Sequence, residues 1–279
     1  MQIFRATQVN NQKKEQTKQA FPYLCPKQIL MEHNGFWEYS FRVRSFDVDR
    51  DKKMTLTSIS EYLQEVAGDH ANTMGFGYRQ VVLQQMAWVL SGIRIEIIRL
   101  PQWEEDIKIK TWVVDNNRFL SRRDFQWYDQ DGNILVKAST NWILFNTESR
   151  RPVAIEPMNF DVTLHPETLA TATGVKNLRA KFEEDPISQY KVRYSDLDMV
   201  GHMNNTKYIQ LFLDYYSPEF HNEHNIKSLD INFKNEAQYQ DDLVLSILQN
   251  TDSHLIELKR LADDKVNCLA SLVWESKNQ

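Results

Sequence analysis

The sequence predicts an α+β fold made of two tandem copies of one unit, each a long helix wrapped by a curved antiparallel sheet. Three observations lead to this prediction. They are an ungapped internal repeat, helical spacing of apolar residues after each copy of the repeat, and alternation of apolar and polar residues after each helix. The 279 residues are 42% hydrophobic and 25% charged, which is the composition of an ordinary globular protein.

The internal repeat aligns residues 41–49 with residues 190–198. The aromatic residue, the base, the valine, the arginine and both aspartates coincide without a gap. A second match aligns residues 95–106 with residues 231–242, further along the chain and in the same order. Two matches in one order indicate a duplicated unit rather than chance.

Each copy of the repeat continues into a predicted helix whose apolar residues recur with a helical period. The predicted buried faces are Ile59, Tyr62, Leu63 and Val66 in the first helix, and Tyr208, Leu211, Phe212 and Tyr215 in the second.

Strands are predicted where the period changes to two, as in residues 107–112 and 243–248. Turn residues at 131–133 and 252–253 separate neighbouring strands, so each copy has about four strands after its helix. A long helix inside such a sheet is the hot-dog arrangement. The prediction is therefore a tandem double hot-dog whose halves pair as two subunits of a homodimer do.

Four segments are predicted along the chain: an N-terminal arm at 1–35, an N-terminal hot-dog domain at 36–155, a linker at 156–185 and a C-terminal hot-dog domain at 186–279. The arm is rich in Gln, Asn and Lys and has no apolar core of signal-peptide length, which predicts a partly disordered surface arm and no conventional secretion. The linker is predicted to carry a short helix near Pro166–Ala172.

Composition also excludes several classes of function. Cys25 and Cys268 are too few for a disulfide framework and lack metal-ligand spacing, so we expect a reduced, cytoplasmic setting without a metal or cofactor. The net charge of −5 does not favour nonspecific binding to nucleic acid or to anionic lipid. No apolar run approaches the roughly 18 residues of a membrane-spanning helix. We expect neither a nucleic-acid nor a membrane partner.

The two copies differ between the shared aspartate and the shared helix. His202 stands opposite Lys53, and Glu236 stands opposite Leu100. A titratable and amide-bearing set therefore occurs only in the C-terminal copy, and we take it as the candidate catalytic set: Asp198, His202, Asn204, Asn205 and Glu236.

This set favours general-base hydrolysis of a carbonyl compound. Carboxylates and an imidazole can activate water, and the free amides at a helix start can stabilise an oxyanion. Each residue alone also has a structural interpretation, since Asp198 and the two asparagines are good helix caps, a histidine at a helix start is often structural, and Glu236 fits a solvated strand edge. No Gly-x-Ser-x-Gly elbow occurs, so a covalent serine mechanism is disfavoured.

Residues 195–208 resemble the signature of acyl-acyl carrier protein thioesterases. Their Asp-x-Asp-x-x-Gly-His-x-Asn-Asn core also resembles the wider 4-hydroxybenzoyl-CoA thioesterase superfamily. Five segments of the first half are similar to the plant and bacterial family pattern: Ala87–Ser91, Pro101–Trp103, Lys110–Trp112, Ser121–Phe125 and Asn146–Arg151. The resemblance extends from Phe36 to the C-terminus.

The resemblance implies hydrolysis of the thioester between a fatty acyl chain and the phosphopantetheine arm of acyl carrier protein, which releases the fatty acid and ends chain elongation. Of the family's catalytic Asp, Asn, His and Glu, three are matched by Asp198, His202 and Glu236. Val200 stands in the place of the asparagine, which leaves Asn204 or Asn205 as its substitute. Either carboxylate is a candidate base, with Asp198 alternatively orienting His202. The family's cysteine after the glutamate is Ala237 here, so that thiol is not a nucleophile.

By the same resemblance the acyl chain is expected in an apolar tunnel of the first half. The acidic carrier protein is expected to dock on a basic surface. The expected tunnel residues are Ile59, Met74, Met86 and Trp88, and the expected docking residues are Arg118, Arg122, Arg123, Arg150 and Arg151. Two alternatives stay open, an acyl-CoA thioesterase and a non-catalytic regulator that binds an acyl thioester. A hot-dog dehydratase is less favoured, and the state is a monomer or a homodimer.

Overall fold

The computed structural model describes residues 31–158, 160–183, 185–251 and 253–277. Most of the predicted N-terminal arm, with Cys25, lies outside the described residues. The helices are α1 (Leu56–Thr73), α2 (Tyr78–Val81), α3 (Asn205–Asp214) and α4 (Pro218–Glu223), with 3-10 turns at Val82–Gln84, Glu156–Met158 and Tyr194–Asp196. The first seven strands are β1 (Met31–His33), β2 (Phe36–Arg42), β3 (Met86–Ile97), β4 (Asp106–Asn116), β5 (Leu120–Tyr128), β6 (Ile134–Asn146) and β7 (Arg151–Pro152). The other five are β8 (Ser188–Lys191), β9 (His224–Phe233), β10 (Asp242–Gln249), β11 (Ser253–Arg260) and β12 (Val266–Ser276).

One antiparallel sheet runs through both halves of the described chain. Its order is β1-β2-β4-β5-β6-β3-β9-β12-β11-β10-β8, and β7 pairs with β6. The halves join where β3 pairs with β9, with Ile93 opposite Ile231 and Ile95 opposite Leu229. All four of these side chains are fully buried. The junction therefore belongs to the core, and the two halves pair as the sequence predicts.

Helix α1 is the central helix of the first half. Thr55 caps its start, since the Thr55 hydroxyl accepts a hydrogen bond from the amide of Ser58. Ile59, Leu63 and Val66 are fully buried and Tyr62 nearly so. The predicted buried face of this helix is confirmed.

The corresponding face of α3 is confirmed only in part. Tyr208 and Phe212 are buried and Leu211 is half-buried, but Tyr215 is exposed and Tyr216 is buried in its place. The reason is that α3 ends at Asp214, so the helical period stops before residue 215. The Tyr216 hydroxyl instead hydrogen-bonds to Nδ1 of His254 at 2.7 Å.

The helices α1 and α3 pack against each other and run in opposite directions. Arg50, just before α1, donates hydrogen bonds to the carbonyl of Pro218 and to the side chain of Asn222, both of which follow α3. The start of α1 therefore lies near the end of α3. It follows that the C-terminal end of α1 lies toward the start of α3, where the candidate catalytic residues are.

The predicted helix near Pro166–Ala172 is wrong, because this segment forms turns and bends. Several of its backbone groups bond to side chains of the sheet, in place of the bonds of a helix. The amide of Ala170 donates to Asp124, the carbonyl of Thr171 accepts from Arg122, and the carbonyl of Thr168 accepts from the indole of Trp112. Among residues 31–158, 160–183, 185–251 and 253–277, no helix is long and apolar enough to cross a membrane.

Candidate active site

A tight loop positions His202 in the second half. Oδ1 of Asp198 accepts hydrogen bonds from the amides of Val200 at 2.9 Å and of His202 at 3.1 Å. Gly201 has a φ of +85°, a left-handed conformation that glycine adopts without strain. The loop is closed by a bridge between Leu197 and Met203. The backbone of His202 is therefore fixed before the helix begins.

The imidazole of His202 lies beside the carboxylate of Glu236. Nε2 of His202 is 3.3 Å from Oε2 of Glu236, and the same oxygen accepts a hydrogen bond of 2.6 Å from Nη2 of Arg150. The side chains of His202 and Glu236 are 23% and 36% exposed, so water reaches both. One carboxylate oxygen thus meets a base from its own half and a cation from the other half.

The segment that carries Glu236 is held in place by hydrogen bonds to its backbone carbonyls. The side-chain amide of Asn267 is fully buried and donates to the carbonyls of Asn235 and Glu236, both at 3.1 Å. The amide of Met203 donates to the carbonyl of Ala237 at 2.8 Å, which holds the His202 loop against the same segment. The short distance between the imidazole and the carboxylate is therefore set by backbone contacts.

The two candidate asparagines have different positions. Asn204 caps α3, and its Oδ1 accepts hydrogen bonds from both the amide and the hydroxyl of Thr206 at 3.0 Å. Asn205 is the first residue of the helix, and within the part of the chain that the structure describes its amide N–H has no acceptor and its side chain no hydrogen bond. An unpaired N–H at a helix start carries part of the positive end of the helix dipole. Both side chains keep an NH2 group without an acceptor among the described residues, and of the two residues Asn205 also has an unpaired backbone N–H.

The loop at Asp198 has a counterpart at Asp49 in the first half. Oδ1 of Asp49 accepts from the amides of Asp51 at 2.8 Å and of Lys53 at 3.0 Å, as Asp198 accepts from Val200 and His202. The carboxylate of Asp198 has no hydrogen bond to the imidazole of His202 among the described residues. Because the first half has the same bonds without a histidine, shaping the loop accounts for all observed contacts of Asp198.

A cavity of about 180 Å³ opens beside the C-terminal half of α1, and none of the candidate catalytic residues is in its lining. It is lined by Gln64, Ala67, Gly68, Ala71, Phe76, Gly77, Tyr78, Trp88, Ser121, Arg123 and Trp142. Of the four expected tunnel residues only Trp88 lines it. Ile59 belongs to the main core, and Met86 packs in a separate cluster with Val81, Leu144 and Ile155. Met74 ends α1 and is half-buried, but it is not part of the lining.

The expected docking surface is smaller than predicted. Arg118, Arg150 and Arg151 are exposed. Arg122 forms a two-pronged ion pair with the fully buried Asp124, with both distances 2.9 Å, and Arg123 is only 4% exposed. Neither guanidinium is available to a partner protein, so the prediction for these two residues is wrong.

The contact between Arg150 and Glu236 was missed by sequence reasoning, which placed Arg150 only on the docking surface. The two residues are 86 positions apart in different copies of the repeat, and no spacing relates them.

Among residues described by the structure, no cluster of three or more His, Cys, Asp or Glu side chains can hold a metal ion. Burial raises the pKa of the Cys268 thiol, which makes it a poor nucleophile.

Comparisons with known proteins match both halves of the chain to the same family. The model of the acyl-ACP thioesterase N-terminal domain matches residues 35–161, and that of the acyl-ACP thioesterase C-terminal domain matches residues 179–276. A crystal structure of an acyl-ACP thioesterase from Bacteroides thetaiotaomicron superposes with a TM-score of 0.75 at 24% identity, over 87% of this chain and 98% of that one. This likeness confirms the predicted double hot-dog fold.

Two curated relatives come from Arabidopsis thaliana. Chloroplastic oleoyl-acyl carrier protein thioesterase 2 is 32% identical over 78% of this chain, which spans 64% of the relative's length. Chloroplastic oleoyl-acyl carrier protein thioesterase 1 is 30% identical over 89% of this chain and 78% of the relative. With family models matching both halves and this level of identity, the chain belongs to the acyl-ACP thioesterase family.

Proposed function

We propose that the protein hydrolyses the thioester that joins a fatty acyl chain to the phosphopantetheine arm of acyl carrier protein, and so releases a free fatty acid. The observation that carries this proposal is the pairing of His202 with Glu236 at 3.3 Å just before the start of α3, with Arg150 of the first half on the same carboxylate oxygen. A carboxylate and an imidazole that share a partly exposed position can activate water for attack on a carbonyl.

In the proposed reaction a water molecule lies between Glu236 and His202. Glu236 takes a proton from the water while the oxygen attacks the thioester carbonyl carbon, and the carbonyl π electrons move to its oxygen. The tetrahedral intermediate then expels the thiolate as the C–S bond breaks, and the thiolate receives the proton. Since a thiolate is a good leaving group, stabilising the oxyanion matters more than protonating sulfur.

The backbone amide of Asn205 is the proposed donor to the oxyanion. It is the amide at the start of α3 that lacks an acceptor within the described residues, and the helix dipole adds to its effect. Asn205 thereby substitutes for the family's asparagine, whose place Val200 occupies. Asn204 is proposed as a cap, and Asp198 as the residue that holds the His202 loop.

For the acyl chain we propose the cavity beside α1, with Trp88 and Phe76 in its wall. For the acidic carrier protein we propose a docking surface made of Arg118 and Arg151, to which Arg150 contributes from the edge of the site. A cytoplasmic location and the choice between monomer and homodimer stay predictions from the sequence.

A panel of acyl-acyl carrier proteins of graded chain length, each matched with the acyl-CoA of the same chain, tests this function. We expect higher kcat/KM on the carrier protein at every length and at least a tenfold loss in Glu236→Gln. Faster turnover of the CoA series supports the acyl-CoA thioesterase instead. Binding of the acyl thioesters without any turnover supports the non-catalytic regulator.

A further inference from the structure

The loop that carries Lys53 in the first half repeats the backbone contacts of the loop that carries His202 in the second half. A β-bridge joins Lys53 to Gln102, just as a β-bridge joins His202 to Gln238. The side chain of Asp49 shapes the Lys53 loop through its two amide hydrogen bonds. The framework of a second site is therefore present in the first half, with an ammonium where the candidate active site has an imidazole.

The segment that faces this loop is also repeated. The amide of Met54 donates to the carbonyl of Pro101 at 2.8 Å, which is the same contact that holds the His202 loop against the segment of Glu236. Leu100 stands at the place of Glu236 in the repeat. Because the second site has neither the imidazole nor the carboxylate, we expect it to bind a ligand without hydrolysing it.

A cavity of about 290 Å³ opens at this second site, and we call it the Lys53 cavity. The first half lines it with Lys53 and with residues of the segment 97–102, and the second half lines it with residues 225–227 and Glu275. None of the candidate catalytic residues is in its lining. Like the candidate active site, the Lys53 cavity is built from both copies of the repeat, but it is a separate place.

The lining of the Lys53 cavity leaves one positive charge unmatched. Lys227 lies 3.3 Å from Glu275, and Arg99 lies 2.6 Å from Glu105, so both of these cations have an acidic partner. The ammonium of the half-buried Lys53 forms neither an ion pair nor a hydrogen bond with any residue that the structure describes. A cation in the wall of a cavity attracts an anion more strongly than a cation on an open surface does, because less water screens it.

The apolar part of the same lining is aliphatic. It consists of Ile97, Ile98, Leu100 and Ile226, with no aromatic ring among the described residues of the lining. Ile97 is buried, and Leu100 and Ile226 pack half-buried against the main core. A flat aromatic ligand would find no ring to stack on, whereas an alkyl chain gains free energy by leaving water against such a wall.

We propose that the Lys53 cavity binds an aliphatic carboxylate and leaves it chemically unchanged. The carboxylate meets the ammonium of Lys53, and the alkyl chain lies against the isoleucines and the leucine of the wall. The fatty acid released in the proposed reaction belongs to this class of ligand. Binding at this cavity does not depend on that reaction, so the two proposals can fail separately.

Titration calorimetry of the full chain with decanoate tests the proposal. We expect a binding event in the wild-type protein whose affinity falls at least tenfold in Lys53→Met. The matched control is Lys52→Met, which removes the same charge from the neighbouring exposed residue outside the lining, and there the affinity is expected to stay. Gly68→Leu, which adds a side chain to the cavity beside α1, is expected to keep the event as well.

Two further ligands separate the charge from the chain. Decanol keeps the chain and loses the charge, and inorganic phosphate keeps a charge and loses the chain. Both are expected to bind at least tenfold more weakly than decanoate. Phosphate that binds as tightly as decanoate would overturn the proposal, since the site would then recognise an anion alone.

A second variant decides the matter if Lys53→Met does not fold. Ile98 is 57% exposed, so Ile98→Glu places a negative charge at the cavity wall without disturbing the core. We expect at least a tenfold loss of decanoate affinity. Unchanged affinity in both variants, or a binding event that is lost in Gly68→Leu alone, would place the ligand elsewhere and reject the proposal.

Hydrolysis is measured separately on an acyl-acyl carrier protein. Lys53→Met is expected to keep the wild-type kcat/KM without added fatty acid, because Lys53 lies outside the candidate active site. If the wild-type protein hydrolyses no thioester, the proposed function fails while the calorimetry still decides the Lys53 cavity. If decanoate does not bind at all, the proposal for the Lys53 cavity fails and the hydrolytic function stands.

Discussion

Arg150 of the first half donates a 2.6 Å hydrogen bond to Glu236 of the second half, at the oxygen that also faces His202. The bond joins the β6–β7 connection to the segment after β9, so the candidate site is completed by both copies of the repeat. A cation on this oxygen fixes the direction of the carboxylate. The first half therefore contributes a side chain to the candidate site of the second half.

Replacing Arg150 by Met is expected to lower kcat by about tenfold, or about 1.4 kcal/mol, because Glu236 loses the contact that orients it. The measurement is steady-state kinetics on one acyl-acyl carrier protein. Arg151→Met is the comparison, since Arg151 is exposed and serves docking in the proposed function. There we expect a higher KM with kcat retained. A rise in KM alone for Arg150→Met would show that Arg150 only docks the carrier.

Asp198 and Asp49 form a matched pair for testing whether Asp198 takes part in the chemistry. Each accepts two amide hydrogen bonds in equivalent loops. Asp198→Ala and Asp49→Ala are both expected to lower the free energy of unfolding by about 1–2 kcal/mol. Only Asp198→Ala is expected to lower kcat, because its loop carries His202.

Asp198→Asn separates the two interpretations, since it keeps an oxygen acceptor and loses the charge. Urea unfolding and kcat should both return toward wild type if Asp198 shapes the loop. A kcat for Asp198→Asn as low as for Asp198→Ala, with normal stability, would instead make Asp198 a base.

The fold could be predicted from the sequence because the same local pattern occurs in both copies of the repeat. Helix α1, the strands after it and their turns all follow from periodicity. The environments of Arg122 and Arg123 could not be predicted that way. Successive residues of a strand point to opposite faces. Here α1 covers one face through His70 and the linker covers the other through Thr171, so Arg123 is buried and Arg122 is half-buried. A charged residue in a strand is therefore expected to be exposed only where the face of the sheet that it points to is open to solvent.

The residues of the candidate active site also differ in whether the sequence alone could predict them. His202 and Glu236 could be singled out as candidates, since they differ from Lys53 and Leu100 at equivalent positions, and the structure places them side by side. The role of Arg150 depends on how two distant halves pack, and local sequence does not record that packing. The choice between Asn204 and Asn205 required knowing which residue begins the helix.

That choice gives a prediction about Val200, whose side chain is 58% exposed. If Asn205 provides the groups that meet the oxyanion, Val200→Asn should change kcat by less than about threefold, which is under 1 kcal/mol. Asn205→Pro, which removes the amide N–H at a helix position that tolerates proline, should lower kcat by at least about tenfold. The control Asn205→Ala keeps the backbone amide. Equal losses in Asn205→Ala and Asn205→Pro would assign the role to the side chain, and a large gain in Val200→Asn would assign it to position 200.

Gly68 lies in α1 and lines the cavity, and a Cβ placed there meets no atom within 4 Å. Gly68→Ala is expected to raise the free energy of unfolding by about 1 kcal/mol, because alanine is the better helix former. Gly68→Leu should fill the cavity and shift the preferred acyl chain to a shorter one. Chemical denaturation and the graded substrate panel measure the two effects.

Gly77 is the control for Gly68, since it lines the same cavity but a Cβ there would overlap the side chain of Asn72. Gly77→Ala should therefore destabilise the protein. An unchanged chain-length profile in a folded Gly68→Leu variant would place the acyl chain elsewhere.

His70 predicts how stability depends on pH. Burial, with a smaller contribution from Arg123, lowers its pKa to about 2 in the folded protein, whereas an unfolded histidine has a pKa of about 6.5. Between these values the unfolded chain binds one more proton than the folded chain, so acid favours unfolding. The contribution of neutral His70 is fully present above about pH 6.5 and is lost as the pH falls, at up to about 1.4 kcal/mol per pH unit. In His70→Gln this part of the slope should disappear. Urea unfolding of both proteins at pH 7, 6 and 5 measures it, and equal slopes would mean that His70 accepts a proton in the folded state.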